Sequence, residues 1–169
     1  MDIYLDNNAT TKVAPEVIEV MMPYFTDMWG NPNSIHQFGT KTHKGLSVGV
    51  DQVYLAINAN DKADIIFTSC ATESNNWVLQ SIYEDVINKS DKNHIITTEV
   101  EHPSILETLR WLEAEKGVDV TYLPVNEAGI VEARTFKSYI TEKTVLISCM
   151  HANNETGMIF PLKEITKYA

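Results

Sequence analysis

Short apolar runs alternate with amphipathic stretches along most of this chain. Residues 65–68, 95–98, 118–123 and 145–150 are runs rich in Ile, Val, Leu and Thr, and read as strands. Between and after them, residues 72–88, 104–116, 131–140 and 162–168 read as helices, the third of them short. Upstream, residues 3–5 read as a short strand closed by the turn formers Asp6-Asn7-Asn8. Pro15 suits the first turn of a helix on which Val17, Ile18, Met21, Met22 and Phe25 recur at helical spacing. A loop over Gly30-Asn31-Pro32-Asn33-Ser34 leads to a second helix within residues 37–59, weakened by Gly39, Gly45 and Gly49. The alternation predicts an α/β fold: a mainly parallel sheet with flanking helices.

In such sheets ligands sit beyond the carboxyl ends of the strands. Three of these ends carry polar clusters. After residue 68 comes Ser69-Cys70-Ala71-Thr72-Glu73-Ser74. A helix start offers unpaired N–H groups and a positive dipole end, Ala71 leaves room for an anion, and three hydroxyls stand by. Simple helix capping by Ser69 or Thr72 explains the same residues. Cys70 is either an activated thiol at a helix start or a small buried side chain. After residue 98 comes Glu101-His102-Pro103, whose imidazole can stack on a flat ligand, move protons or merely bond to its neighbours. After residue 150 comes His151-Ala152-Asn153-Asn154-Glu155-Thr156-Gly157, whose amides either bind a ligand oxygen or close a turn. Together an anion site, an imidazole and amide donors suit a flat phosphorylated cofactor.

Composition narrows the partners. The chain has 169 residues, enough for one domain, and a 44% apolar fraction, enough for a core. Its net charge of −10 and its two arginines, Arg110 and Arg134, argue against nucleic acid. Two cysteines, Cys70 and Cys149, make neither a disulfide framework nor a zinc motif, and no metal site is expected. Met1-Asp2-Ile3-Tyr4 has no basic n-region, and no apolar run reaches membrane-spanning length. The cytoplasm is the expected compartment, with no membrane partner.

The ordered motifs resemble a known family. They are Tyr4-Leu5-Asp6-Asn7-Asn8-Ala9-Thr10-Thr11, Gly30-Asn31-Pro32-Asn33-Ser34, and Ile66-Phe67-Thr68-Ser69-Cys70-Ala71-Thr72-Glu73-Ser74-Asn75-Asn76. Then follow His94-Ile95-Ile96-Thr97-Thr98, Glu101-His102-Pro103, Val120-Thr121-Tyr122-Leu123-Pro124 and Met150-His151-Ala152-Asn153-Asn154-Glu155-Thr156-Gly157. This set resembles the pyridoxal 5'-phosphate (PLP) dependent cysteine desulfurases of the NifS/IscS type. The resemblance implies the large domain of the PLP-dependent transferase fold type I, truncated, with residues 1–169 forming an N-terminal segment plus part of that domain and the C-terminal small domain absent. It implies that Ala71 and Thr72 hold the cofactor phosphate, that His102 stacks on its ring and shuttles protons as the catalytic imidazole, and that Asn154 bonds its phenolic oxygen. It implies that L-cysteine is converted to L-alanine, with the sulfur passed through an enzyme persulfide to an iron–sulfur scaffold or other acceptor protein. A homodimer is the implied assembly.

The family usually has Gly where this chain has Cys70. Its Schiff-base lysine and nucleophilic cysteine lie beyond the matched region, so the chain is expected to be inactive alone. Lys163 and Lys167 stand outside any matching motif, and Cys149 sits inside an expected strand. Two alternatives stay open: a non-catalytic binding or scaffold domain of the same fold, and another PLP enzyme such as selenocysteine lyase.

Overall fold

The computed structural model describes residues 3–59 and 65–169. They fall into two compact units, Met1–Phe67 and Thr68–Ala169.

The first unit is built on two helices, α1 (Pro15–Thr26) and α2 (Gln37–Ala56). Pro15 opens α1, where its missing N–H costs nothing. The His36 ring caps α2, accepting from the Gly39 N–H at 3.4 Å. Trp29 and Phe38 stack with ring centroids 5.8 Å apart. The glycines expected to weaken α2 do not break it, and two of them sit where a side chain would collide. A β-carbon at Gly39 would lie 2.3 Å from the Ser34 carbonyl oxygen, and one at Gly45 would meet the Tyr24 hydroxyl. Gly49 has open space around it. Gly39→Ala is therefore expected to destabilise this unit by about 1–3 kcal/mol through overpacking against backbone. Gly49→Ala should stabilise it by roughly 0.5–1 kcal/mol through helix propensity. Thermal denaturation of both variants checks this; equal losses in the two would refute the packing argument.

Two expected strands are absent. Residues 3–5 and 65–68 form no strand and have no ladder partner among the described residues. Leu5 is 88% exposed and Ile66 62%, so neither run gains the burial and cross-strand pairing that hold a strand in place. The turn after the first run does form, with Ala9 and Thr10 N–H groups donating to the Asp6 carbonyl.

In the second unit, parallel strands β1 (His94–Thr98), β2 (Asp119–Leu123) and β3 (Thr144–Ile147) pair in the order β2-β1-β3. The central strand is buried on both faces, as a parallel sheet requires. Ile95 points into a cluster with Leu79 of α3 (Ala71–Asp85) and Leu109 and Leu112 of α4 (Pro103–Lys116). Its neighbour Ile96 points the other way, into a cluster with Phe136 of α5 (Ala133–Tyr139) and Ile165 of α6 (Leu162–Ile165). The period-two alternation of one strand thus places helices on both faces. α3 stops at Asp85 and passes into a 3-10 turn, Ile87–Lys89, short of the expected residue 88. β3 and α6 are also shorter than the sequence pattern suggests. At the amino edge of the sheet, the buried His94 ring bonds Thr144 on β3 at 2.8 Å and Thr121 on β2 at 2.9 Å.

Candidate functional site

The turn at residues 69–74 keeps its helix although its strand is missing. Cys70 takes the N-cap place in extended backbone (φ −165°, ψ 168°), so Ala71 and Thr72 occupy the first two helical positions. Both are exposed. The hydroxyls divide their work. Ser69 donates its hydroxyl and its N–H to the Glu73 carboxylate, each at 2.6 Å. The Ser74 hydroxyl bonds that of Thr68 at 2.5 Å. These two hydroxyls are therefore spent on shaping the turn. The Thr72 hydroxyl has no partner among the described residues. At the positive end of the dipole, the Ala71 N–H and the Thr72 hydroxyl are left as anion donors, while the Thr72 N–H also faces the Cys70 sulfur.

The bonds from Ser69 also hold the Glu73 carboxyl below its usual pKa. The Glu73 N–H and the Ser69 hydroxyl beside the sulfur lower the Cys70 thiol as well. Cys70 is exposed, which excludes the reading as a buried filler. Cys149 is the opposite case: half buried, its thiol is pushed up to about 12 by burial and by Glu101 nearby. It remains a neutral thiol at physiological pH.

His102 caps α4. Its Nδ1 accepts from the Ser104 N–H at 3.1 Å and bonds the Ser104 hydroxyl at 2.9 Å. The residue is exposed, which leaves ring surface open for a flat partner.

The two asparagines after β3 have different surroundings. Asn153 is buried, and its amide donates to the Val100 carbonyl at 3.2 Å. Its Oδ1 accepts from the N–H groups of Glu155 and Thr156, both at 2.9 Å. It builds the turn. Asn154 is exposed, with its amide donating to the Glu155 carboxylate at 2.9 Å.

Hydrogen bonds stitch these three clusters together. Asn75 Nδ2 donates to Ser104 Oγ at 2.8 Å, tying the second turn of α3 to the first turn of α4. Asn76 extends that seam. Its amide donates to the Thr72 carbonyl at 2.9 Å, and its oxygen accepts from the Thr108 hydroxyl at 3.0 Å. On the other side, the buried Glu101 accepts from the Thr98 hydroxyl at 3.0 Å and from the Met150 N–H at 2.7 Å. The turn bearing Ala71 and Thr72, the turn bearing His102 and the loop bearing Asn154 thus meet at the carboxyl edge of the sheet. Sequence reasoning did not single out Asn75, Asn76, Glu101, Asn153, Ser104 or Thr108 for this role. A signal existed: Ser104 and Thr108 are four apart on α4 and share a face, opposite the adjacent amides of α3.

The donor set fits PLP. It pairs a helix start for a phosphate with an exposed imidazole for a ring and an exposed amide for a phenolic oxygen. Three carboxylates stand near these groups: Glu73 is turned to Ser69, Glu101 is buried and bonded to Thr98 and Met150, and Glu155 accepts from the Asn154 amide. Among the described residues, no group of His, Cys, Asp and Glu could hold a metal ion. No helix of the described residues is long and apolar enough to cross a membrane.

Residues 3–169 match the aminotransferase class-V family. The chain is 46% identical over 165 residues to a cysteine desulfurase of Trichormus azollae, covering 98% of this chain and 40% of that protein. It is 48% identical over 163 residues to the cysteine desulfurase IscS of Clostridium botulinum (strain Kyoto / Type A2), covering 96% of this chain and 40% of that protein. The chain thus spans about 40% of the length of these curated relatives. Among solved structures it superposes on a NifS-like protein with a TM-score of 0.93 and 39% identity, over 99% of this chain and 45% of that one. It also superposes on SspA in complex with cysteine, with a TM-score of 0.91 and 32% identity, over 98% of this chain and 47% of that one.

Proposed function

This chain belongs to the aminotransferase class-V family, and from that premise we propose that it is the N-terminal part of a PLP-dependent cysteine desulfurase. The substrate in this reading is L-cysteine, and the sulfur goes through a protein persulfide to an iron–sulfur scaffold or another acceptor protein. The whole enzyme is a cytoplasmic homodimer. One observation carries the cofactor assignment: the seam from Asn76 and Asn75 to Ser104 and the bridge from Glu101 to Met150 bring a phosphate turn, an imidazole and an amide to one sheet edge.

Each group then has a task. Ala71 and Thr72 bind the phosphate through N–H groups and the Thr72 hydroxyl. His102 lays its ring against the cofactor and holds or moves a proton near it. Asn154 donates to the phenolic oxygen and orients the ring. When bound, PLP supplies the electron sink for chemistry at the substrate α-carbon. The lysine that holds the cofactor covalently and the cysteine that takes up sulfur come from outside these 169 residues. The neutral Cys149 is unsuited to the second task. The chain alone is therefore inactive.

PLP titrated into the 169-residue chain, followed by amide NMR, tests the reading. Shifts are expected at Ala71, Thr72, His102 and Asn154. Thr72→Ala should weaken binding by about 10-fold or more, the loss of one hydrogen bond to a charged group. Borohydride treatment should leave no single pyridoxyl-lysine. Unmoved amides at those four residues, or stoichiometric labelling of one lysine, would defeat the assignment.

A further inference from the structure

We propose that Ser104 and Asn75 are positioning residues that fix the tautomer and rotation of the His102 ring, presenting Nε2–H to the cofactor side. This rests on the reading of His102 as the cofactor-facing imidazole.

The argument is one of donors and acceptors. A backbone N–H can only donate, so the bond from the Ser104 N–H at 3.1 Å places a lone pair on Nδ1. The neutral ring therefore carries its proton on Nε2. The Ser104 hydroxyl strengthens this. Its oxygen accepts from Asn75 Nδ2 at 2.8 Å, which turns its own proton toward Nδ1, 2.9 Å away. Two donors converging on one lone pair resist rotation of the ring. Ser104 is buried, so water competes little for its hydroxyl. Nε2 has no partner among the described residues.

The chain of bonds crosses from α3 to α4. Asn75 lies one turn beyond the phosphate-binding positions, and His102 caps the neighbouring helix. The element that anchors the cofactor phosphate therefore also sets which nitrogen of the imidazole exchanges protons. A helix-capping histidine with no ligand role has no need of the Asn75 contact, since the backbone N–H alone completes the cap.

Ring nitrogen NMR of the uniformly labelled 169-residue chain, with no cofactor added, reads the tautomer directly. In wild type, neutral His102 should show a protonated Nε2 and an unprotonated Nδ1. Ser104→Ala should raise the Nδ1–H population about fivefold, the worth of one neutral hydrogen bond. Asn75→Ala should move it in the same direction by less, and Ser104→Thr should restore the wild-type pattern. His94, in the same unit, serves as the internal reference, because its ring is held by Thr144 and Thr121 and should not change. Should Ser104→Ala fail to fold, Asn75→Ala carries the test, since Asn75 is only half buried. A protonated Nδ1 in wild type overturns the proposal, as do folded variants with unchanged His102 nitrogens. Because no PLP is present, this outcome is separate from the titration: an intact tautomer pattern with no PLP response sinks the cofactor reading alone.

Discussion

Glu101→Ala is expected to destabilise the Thr68–Ala169 unit by about 2–4 kcal/mol, the cost of stranding buried polar groups at two strand ends. Glu101 is 7% exposed, and its Oε1 takes the Thr98 hydroxyl and the Met150 N–H, which lies far along the chain. Alanine removes the acceptor and leaves both donors unpaired. Glu101→Gln keeps an amide oxygen in that place and should fold well. The two variants also separate charge from hydrogen bonding. Burial raises the Glu101 carboxyl pKa above its ordinary 4.5, although the bonds from Met150 and Thr98 pull the other way. A raised folded-state pKa means the folded protein holds the proton more tightly than the unfolded chain. Its stabilising contribution is full below the unfolded pKa and is lost as pH rises through the folded one. The amide introduced by Glu101→Gln has no such proton to lose, so that variant should gain on wild type as pH rises from about 4 to about 8. Glu73, whose pKa is shifted the other way, is common to both proteins and cancels in the difference. Urea denaturation across that range measures it. An alanine variant within about 0.5 kcal/mol of wild type, or parallel pH curves for wild type and the Glu101→Gln variant, would show that Glu101 is not the latch described.

Adjacent asparagines supply the second contrast. Asn153→Ala should cost about 2–4 kcal/mol, because it strands the N–H groups of Glu155 and Thr156 and the Val100 carbonyl. It should also unfasten the loop that carries Asn154. Asn154→Ala should leave stability within about 0.5 kcal/mol, as an exposed substitution does. Its effect should fall on PLP binding instead, which is expected to weaken about 5- to 10-fold for one lost hydrogen bond. Denaturation and PLP titration of both variants give four readings. Equal stability losses in the pair would contradict the division of roles, and so would an Asn154→Ala variant that binds PLP as wild type does.

These two residues also mark where sequence reading stopped. Asn153 and Asn154 are chemically identical neighbours in an ordinary turn composition. Nothing local tells which one faces inward. That is decided by the Val100 carbonyl, reached only once β1 and β3 lie side by side. Glu101 is a similar case, since its main partner, the Met150 N–H, belongs to a distant segment.

Much else was legible. The alternation of short β-branched runs with helical periodicity specified the parallel β1, β2 and β3 and the helices α3 and α4, because burial on both faces of a strand and one face of a helix leaves a direct trace in residue order. The starts of α3 and α4, with Ala71, Thr72 and His102, were legible for the same local reason. The runs at residues 3–5 and 65–68 looked the same by composition, yet a strand exists only through a partner, and residue order does not say whether one is present. Tertiary structure alone decided that Ser69 and Ser74 serve the turn while Thr72 keeps its hydroxyl available, and that Asn75 reaches across to Ser104. Each is a choice among several nearby hydrogen-bond partners. Such choices are made by distances of a few tenths of an ångström between packed elements, which periodicity and composition do not encode.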